Sequence, residues 1–240
     1  MSTRPTIRVV EPSNHHREKW PVTVSVPFPR STVTSIGQVH LVDTRDSEIP
    51  AQRRIMATWP DGSVKWMLLD FPVELEPREC RDISVEISDY EDGKEPEEGI
   101  RIEWAGEELH VDTGVLRCRL AATQGGLLSE VIAHGITFSE SPGTVRIAQP
   151  DGRMLDLSNG PATLTIEEPG VQRAVIAMRG KHFDLEGNAA LDYVLRMVVY
   201  ANQAIVRWYY TIVNREPADA VPVSKIQMIQ PFSLDTATCW

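Results

Sequence analysis

Turn spacing constrains this chain more than any other feature. Asp61-Gly62, Asp92-Gly93, Asp151-Gly152 and Glu186-Gly187 fall between short runs in which apolar and polar residues alternate. Alternation with a period of two puts successive side chains on opposite faces of an extended chain. Asp-Gly and Glu-Gly pairs supply the positive backbone angles of tight hairpins. "PVTVSVPF" (21–28), "VTSIGQVHLVD" (33–43), "RRIMATW" (53–59), "SVKWMLLDFPVEL" (63–75) and "CRDISVEIS" (80–88) read as strands. "DYEDGKEPEEG" (89–99) carries six acidic residues, one lysine and no apolar period, so it reads as a linker. Strand patterns resume at 100–104, 109–120, 144–148 and 162–168, and in three longer runs at 171–183, 190–200 and 203–214. "GGLLSEVIAHG" (125–135) is the single stretch with helical character. The expected fold is all-β: a small β-barrel at 1–88, the acidic linker at 89–99, and a larger antiparallel β-sandwich at 100–240.

Charge narrows the function classes. The 240 residues carry a net charge of −10 and a pI near 5.1. Nucleic acids and anionic membranes need a basic surface, so neither is an expected partner, although a local basic face remains open. Cys80, Cys118 and Cys239 are widely spaced and match no zinc or redox motif. Their odd number suits free thiols in a reducing compartment. The first twenty residues hold no apolar signal-peptide core, and no run approaches the roughly 20 apolar residues of a membrane span. The expected location is cytoplasmic. A phosphate loop, a dinucleotide fingerprint and a nucleophile elbow are all missing, so no cofactor is expected. His110 and Asp112 have an alternate-residue spacing, but two ligands make no metal site. His15-His16 lies in a polar tail and reads as solvated.

The most distinctive stretch is "ATWPDGSVKWMLLD" (57–70). Pro60-Asp61-Gly62 reads as the turn of a hairpin. Regular alternation beyond it puts Val64, Trp66, Leu68 and Asp70 on one face, which makes Trp66 a core residue and Trp59 a packing lid. Lys65 then lies at or near the surface.

This stretch, with "KWPVTVSVPFP" (19–29) before it, resembles the amino-terminal RIFT barrel of the exo-rhamnogalacturonan-lyase-like family, also called PcRGLX-like or YetA-like. "VDTGVLRCRL" (111–120) is similar to that family's Asp-Thr-Gly-x-Leu strand. Residues 170–214 are similar to its central β-sandwich. The resemblance implies a RIFT-type barrel followed by a sandwich. It also implies relation to enzymes that cleave acidic pectin-derived oligosaccharides by β-elimination. Full-length members carry a helical toroid after the sandwich, and this chain shows no helical segment there. The expected partners are therefore an acidic oligosaccharide and a missing C-terminal helical domain or a partner chain.

Elimination beside a uronate carboxylate needs a cation on the carboxylate, a base at the α-carbon and an acid for the leaving oxygen. An arginine fork matches the first role. The hairpin 190–214 offers the best candidates. If Ala201-Asn202 is a two-residue turn, Tyr200 pairs with Gln203 and Arg196 faces Arg207. Asp192, Arg196, Tyr200, Gln203, Arg207 and Tyr209 then share one face. Tyr193, Leu195, Met197, Val199, Val206, Trp208, Tyr210 and Ile212 form the opposite, core face. Two facing arginines repel unless an anion lies between them, either a protein carboxylate or a substrate carboxylate. Arg196, Arg207, Tyr209 and Tyr200 are the candidate substrate contacts. His182, Tyr209 and Arg207 are the candidate catalytic groups. Three readings stay open: a lyase-like carbohydrate-active protein, a non-catalytic module binding acidic sugars or another protein, and a truncated product inactive alone.

Overall fold

Alternation becomes antiparallel pairing along almost the whole chain. The computed structural model describes residues 5–121, 123–215 and 221–233. The fold is all-β, and the helical segments among the described residues are short 3-10 turns at Ile36–Gln38 and Leu157–Asn159. Two compact units emerge, Met1–Gly99 with Gly170–Arg173, and Ile100–Pro169 with Ala174–Trp240.

The first unit contains β1 (Thr6–Val10), β2 (Arg17–Pro27), β3 (Val39–Val42), β4 (Glu48–Ile49), β5 (Gln52–Thr58), β6 (Val64–Leu75) and β7 (Cys80–Ile87). They form a four-stranded sheet, β1-β7-β3-β4, and a three-stranded sheet, β2-β6-β5. One core joins them. Met67, Leu69, Phe71, Val73 and Leu75 of β6 meet Val39 and Leu41 of β3 and Ile83 and Val85 of β7. Each such side chain contributes about 1.5–3 kcal/mol by leaving water.

The expectation for Trp66 is corrected here. Trp66 faces outward and is 39% exposed, whereas Met67 and Leu69 are fully buried. Pairing steps from Thr58↔Val64 to Ala57↔Trp66 and then to Ile55↔Met67, so Lys65 and Met56 are extra residues. Each bulge flips the alternation. Val64 is therefore buried together with Met67, and the inward set becomes the odd-numbered residues beyond the bulge. The turn itself forms at Pro60-Asp61-Gly62. Gly62 adopts φ +85° and donates to the Trp59 carbonyl at 2.9 Å. Asp61 accepts from Ser63 Oγ at 2.6 Å and Ser31 Oγ at 2.7 Å. Those bonds, Ser63 foremost, hold its carboxyl far below the usual range. Lys65 Nζ lies 4.6 Å over the Trp59 ring, and Trp59 Nε1 donates to the Phe28 carbonyl at 3.1 Å. Both residues serve the packing of the hairpin.

The acidic stretch 89–99 carries no strand, yet it is tied to the first unit. Lys94 N donates to Glu48 Oε1 at 2.7 Å, and the Lys94 carbonyl accepts from Ala51 N at 3.1 Å and Arg53 Nη1 at 3.0 Å. Asp92-Gly93 does not make a positive-φ turn. Gly93 is needed for a close approach, because a Cβ there would stand 2.9 Å from Arg53 Nη2 and from the Gly37 carbonyl.

The second unit contains β8 (Arg101–Ala105), β9 (Glu108–Asp112), β10 (Leu116–Ala121), β11 (Glu130–Ala133) and β12 (Ile136–Ser139) in one sheet, ordered β12-β11-β10-β9-β8. The other sheet has β13 (Thr144–Ala148), β14 (Met154–Asp156), β15 (Ala162–Glu168), β16 (Arg173–Phe183), β17 (Ala189–Tyr200), β18 (Val206–Val213) and β19 (Lys225–Ile229). Its order is β18-β17-β16-β14-β13-β19, with β15 also on β16. Leu109, Val111, Leu116, Cys118 and Leu120 of the first sheet pack against Ile176, Met178, Tyr193, Leu195, Met197 and Val199 of the second.

The helical expectation for 125–135 fails. Residues 130–133 are a strand paired with β10, and His134-Gly135, with φ +50° and +79°, turn the chain into β12. A stretch this short, with glycines at its ends, cannot sustain a helix against strand pairing.

Candidate functional site

The outward face of β15–β18 is built by strand parity. Val213, Thr211, Tyr209 and Arg207 of β18 stand opposite Asp192, Val194, Arg196 and Val198 of β17. The face therefore groups the side chains expected from the sequence, but the register is two residues away from the one expected. Arg196 faces Tyr209, and Arg207 faces Val198. The expected turn at Ala201-Asn202 does form, with Gln203 N donating to the Tyr200 carbonyl at 3.3 Å, but strand pairing resumes only at Val199↔Val206, because part of the connection is bound elsewhere. Asn202 N donates to the Thr113 carbonyl at 2.7 Å, and Thr113 Oγ1 donates to the Gln203 carbonyl at 2.9 Å. The opposite face packs as expected. Tyr193, Leu195, Met197 and Val199 are buried in the core, with Val206, Trp208 and Tyr210 against it.

Arg196 is engaged by the protein's own carboxylate. Its Nε donates to Glu167 Oε2 at 2.6 Å and its Nη2 to Oε1 at 3.1 Å. Arg179 donates to the same Oε1. Glu167 is thus clamped by two guanidiniums, and the bonds from Arg196 lead in holding it below the usual carboxylate range. Asp192 is held similarly, 2.9 Å from Arg215 Nε and 3.5 Å from Lys181 Nζ. Sequence reasoning missed Glu167. It ends an ordinary amphipathic strand beside Glu168, and nothing local marks it as the partner of residues 12 and 29 positions away.

Arg207 is different. It is exposed, and it makes no ion pair among the described residues. Its guanidinium carbon lies 5.4 Å from the centroid of Tyr200. Tyr200 is 5% exposed and packs with Val175 and Val198. It supports Arg207 from beneath and offers no ligand surface of its own. Tyr209, two residues along the same strand face, is 56% exposed. Arg179, Lys181, Arg196, Arg207 and Arg215 stand against Glu167, Glu168 and Asp192 here. Within an acidic protein this is a locally basic patch.

His182 lies on the other side of the sheet. It is fully buried. Nδ1 is 2.9 Å from the Leu191 carbonyl, which only accepts, so Nδ1 carries the proton. Nε2 then accepts from Tyr210 Oη at 2.5 Å. The ring also packs edge-on to Tyr193, 5.1 Å between centroids. Burial depresses the imidazole pKa and pushes the Tyr210 phenol up. With both nitrogens engaged and no exposed surface, His182 has no path to a sugar on the Arg207 face. The catalytic expectation for it is set aside on that ground.

The remaining expectations fall elsewhere. His110 Nε2 is 3.5 Å from Glu108 Oε2, while Asp112 pairs with Arg101 at 3.1 Å. Among the described residues no group of three or more His, Cys, Asp and Glu is placed to hold a metal. Cys80 is exposed and Cys118 buried, both free, and burial pushes the Cys118 thiol up to about 12. Cys239 lies outside the described residues.

Comparison with known families matches this architecture in both parts. Residues 5–80 match the PcRGLX-like N-terminal RIFT barrel domain, and residues 100–229 match the PcRGLX-like protein central beta sandwich domain. No curated protein matches the chain. With both domains present in order and the second covering more than half of its length, the chain belongs to the PcRGLX-like family.

Proposed function

We propose that this chain is a carbohydrate-active module that holds acidic oligosaccharides on the outward face of β17 and β18 and does not turn them over alone. Family membership supports the carbohydrate class. The observation that carries the site is Arg207, a supported and exposed guanidinium without a carboxylate among the described residues. A uronate carboxylate fills that vacancy with two parallel hydrogen bonds. The exposed ring of Tyr209 offers its face to the C–H surface of the same or the next sugar. Arg196 and Arg179, locked on Glu167, contribute positive potential rather than direct contacts.

Turnover needs more. A base must reach the proton beside the carboxylate with water excluded, and misplacement by about 1 Å costs roughly a hundredfold. His182 is sealed behind the sheet, and the Arg207 face is an open surface in which the arginine–carboxylate contact is weakened by high dielectric. Purified protein incubated with rhamnogalacturonan oligosaccharides should therefore generate no ultraviolet absorbance from an unsaturated uronate. A steady rise that vanishes in Arg207→Ala would show instead that the chain is itself a catalyst. Binding should weaken as salt rises, since the contact is exposed.

A further inference from the structure

A second polar site lies on the outward face of the five-stranded sheet. Two clefts meet there, of about 310 Å³ and about 340 Å³, the size of small ligand pockets. Arg117, Asp112 and Ile132 line both. The strand register explains the chemistry. One cross-strand row runs Arg101, Asp112, Arg117, Ile132. The next runs Glu103, His110, Arg119, Glu130.

The second row is internally balanced, since Arg119 reaches Glu108 at 3.2 Å and Glu130 at 3.1 Å. The first row is not. Asp112 stands between two arginines, and both its oxygens are taken. Oδ2 accepts from Arg101 at 3.1 Å, and Oδ1 accepts from Gly114 N at 2.7 Å. Arg117 is left exposed, facing both clefts, with no ion pair among the described residues. Nearby, His110 Nε2 is shielded from water and makes no hydrogen bond among the described residues, with Glu108 Oε2 3.5 Å away.

We infer that Arg117 anchors a small carboxylate-bearing sugar, a monosaccharide uronate, at this double cleft. The cation takes the carboxylate. The surrounding Glu103, Glu130 and Asp112 repel a second anionic group, while Glu103 and Glu130 accept hydrogen bonds from hydroxyls, so the ligand is a polyol with one negative charge. The site is separate from the Arg207 face, and the choice of sugar as ligand rests on the carbohydrate reading above.

The test is an amide chemical-shift titration of the whole chain with sodium galacturonate, alongside galactose and acetate. Saturable shifts should centre on Gly114, Arg117, Ile132, His134 and Gly135. Affinity should fall by about tenfold or more in Arg117→Met, which keeps the side-chain stem but removes the fork. Arg207→Ala should leave these shifts intact. Galactose should give none, and acetate should bind more weakly than galacturonate. Shifts that survive Arg117→Met, that centre elsewhere, or that never appear at tens of millimolar would overturn the site. Loss of the Arg207 response alone would count against the proposed function and leave this site standing. Equal binding of acetate and galacturonate would show a bare carboxylate site and overturn the sugar assignment.

Discussion

The hairpin around Trp59 and Trp66 and the hairpin of β17 and β18 look alike in sequence, with aromatic-rich strands on either side of a short turn. They resolve in opposite ways. In the first, the turn forms at Pro60-Asp61-Gly62, but two bulges invert the faces beyond it. In the second, the turn forms at Ala201-Asn202, but pairing resumes only at Val199↔Val206 and the register moves by two residues. Gln203 leaves the strand, yet the paired residues keep their assigned faces. A shift of two preserves parity, and a single extra residue destroys it. Parity therefore decides which side chains a strand offers to a ligand, and register decides which of them become neighbours.

The largest test of this contrast lies in β6. Leu69→Ala should destabilise by about 2–5 kcal/mol, because it empties a fully buried position. Trp66→Ala should cost much less, about 1 kcal/mol, because the ring is partly in water. Denaturant unfolding of both variants reads the difference, and a larger loss for Trp66 would restore the unbulged alternation.

The buried side of β16 and β17 supplies the next effect. Burial keeps His182 neutral below its ordinary pKa of 6.5. As pH falls through 6.5, the unfolded chain takes up the proton first. This contribution is full above about 6.5 and declines toward the lower folded value, at up to about 1.4 kcal/mol per pH unit. Unfolding free energies between neutral pH and about pH 5 should show that slope, and His182→Asn should flatten it whatever its effect on absolute stability. An unchanged slope would mean that water reaches the imidazole.

Tyr193 gives an effect of the opposite sign. Its hydroxyl is buried without a hydrogen-bond partner among the described residues, so Tyr193→Phe should be neutral or stabilise by up to about 1–3 kcal/mol. A clear loss of stability in the thermal or denaturant transition would reveal a partner for the hydroxyl.

These contrasts show where the sequence is legible. Alternation identified the longer strands and the core face of β17 and β18, because apolar burial leaves a period-two signature, but it left β1, β4, β11, β12, β14 and β19 unread. The bulges at Lys65 and Met56 leave none, since a bulged residue differs from its neighbours only in pairing. The connection at 201–205 depends on bonds to Thr113, far away in sequence. Pairing of Arg196 with Glu167 likewise needs the third dimension. Arg207 and Tyr209 were legible as candidates through parity alone. The engagement of Arg196 and the freedom of Arg207 were not, because both depend on which carboxylates the fold brings within reach.

The most direct test is binding at Arg207. A galacturonate disaccharide titrated into isotope-labelled protein should shift the amides of Arg207, Trp208, Tyr209 and Tyr210 saturably, and the shifts should diminish with added salt. In Arg207→Ala those shifts should vanish while stability changes by no more than about 0.5 kcal/mol, as befits an exposed side chain without an ion pair among the described residues. Shifts on β18 that persist in Arg207→Ala, or a wild-type protein whose β18 amides do not respond, would contradict the account.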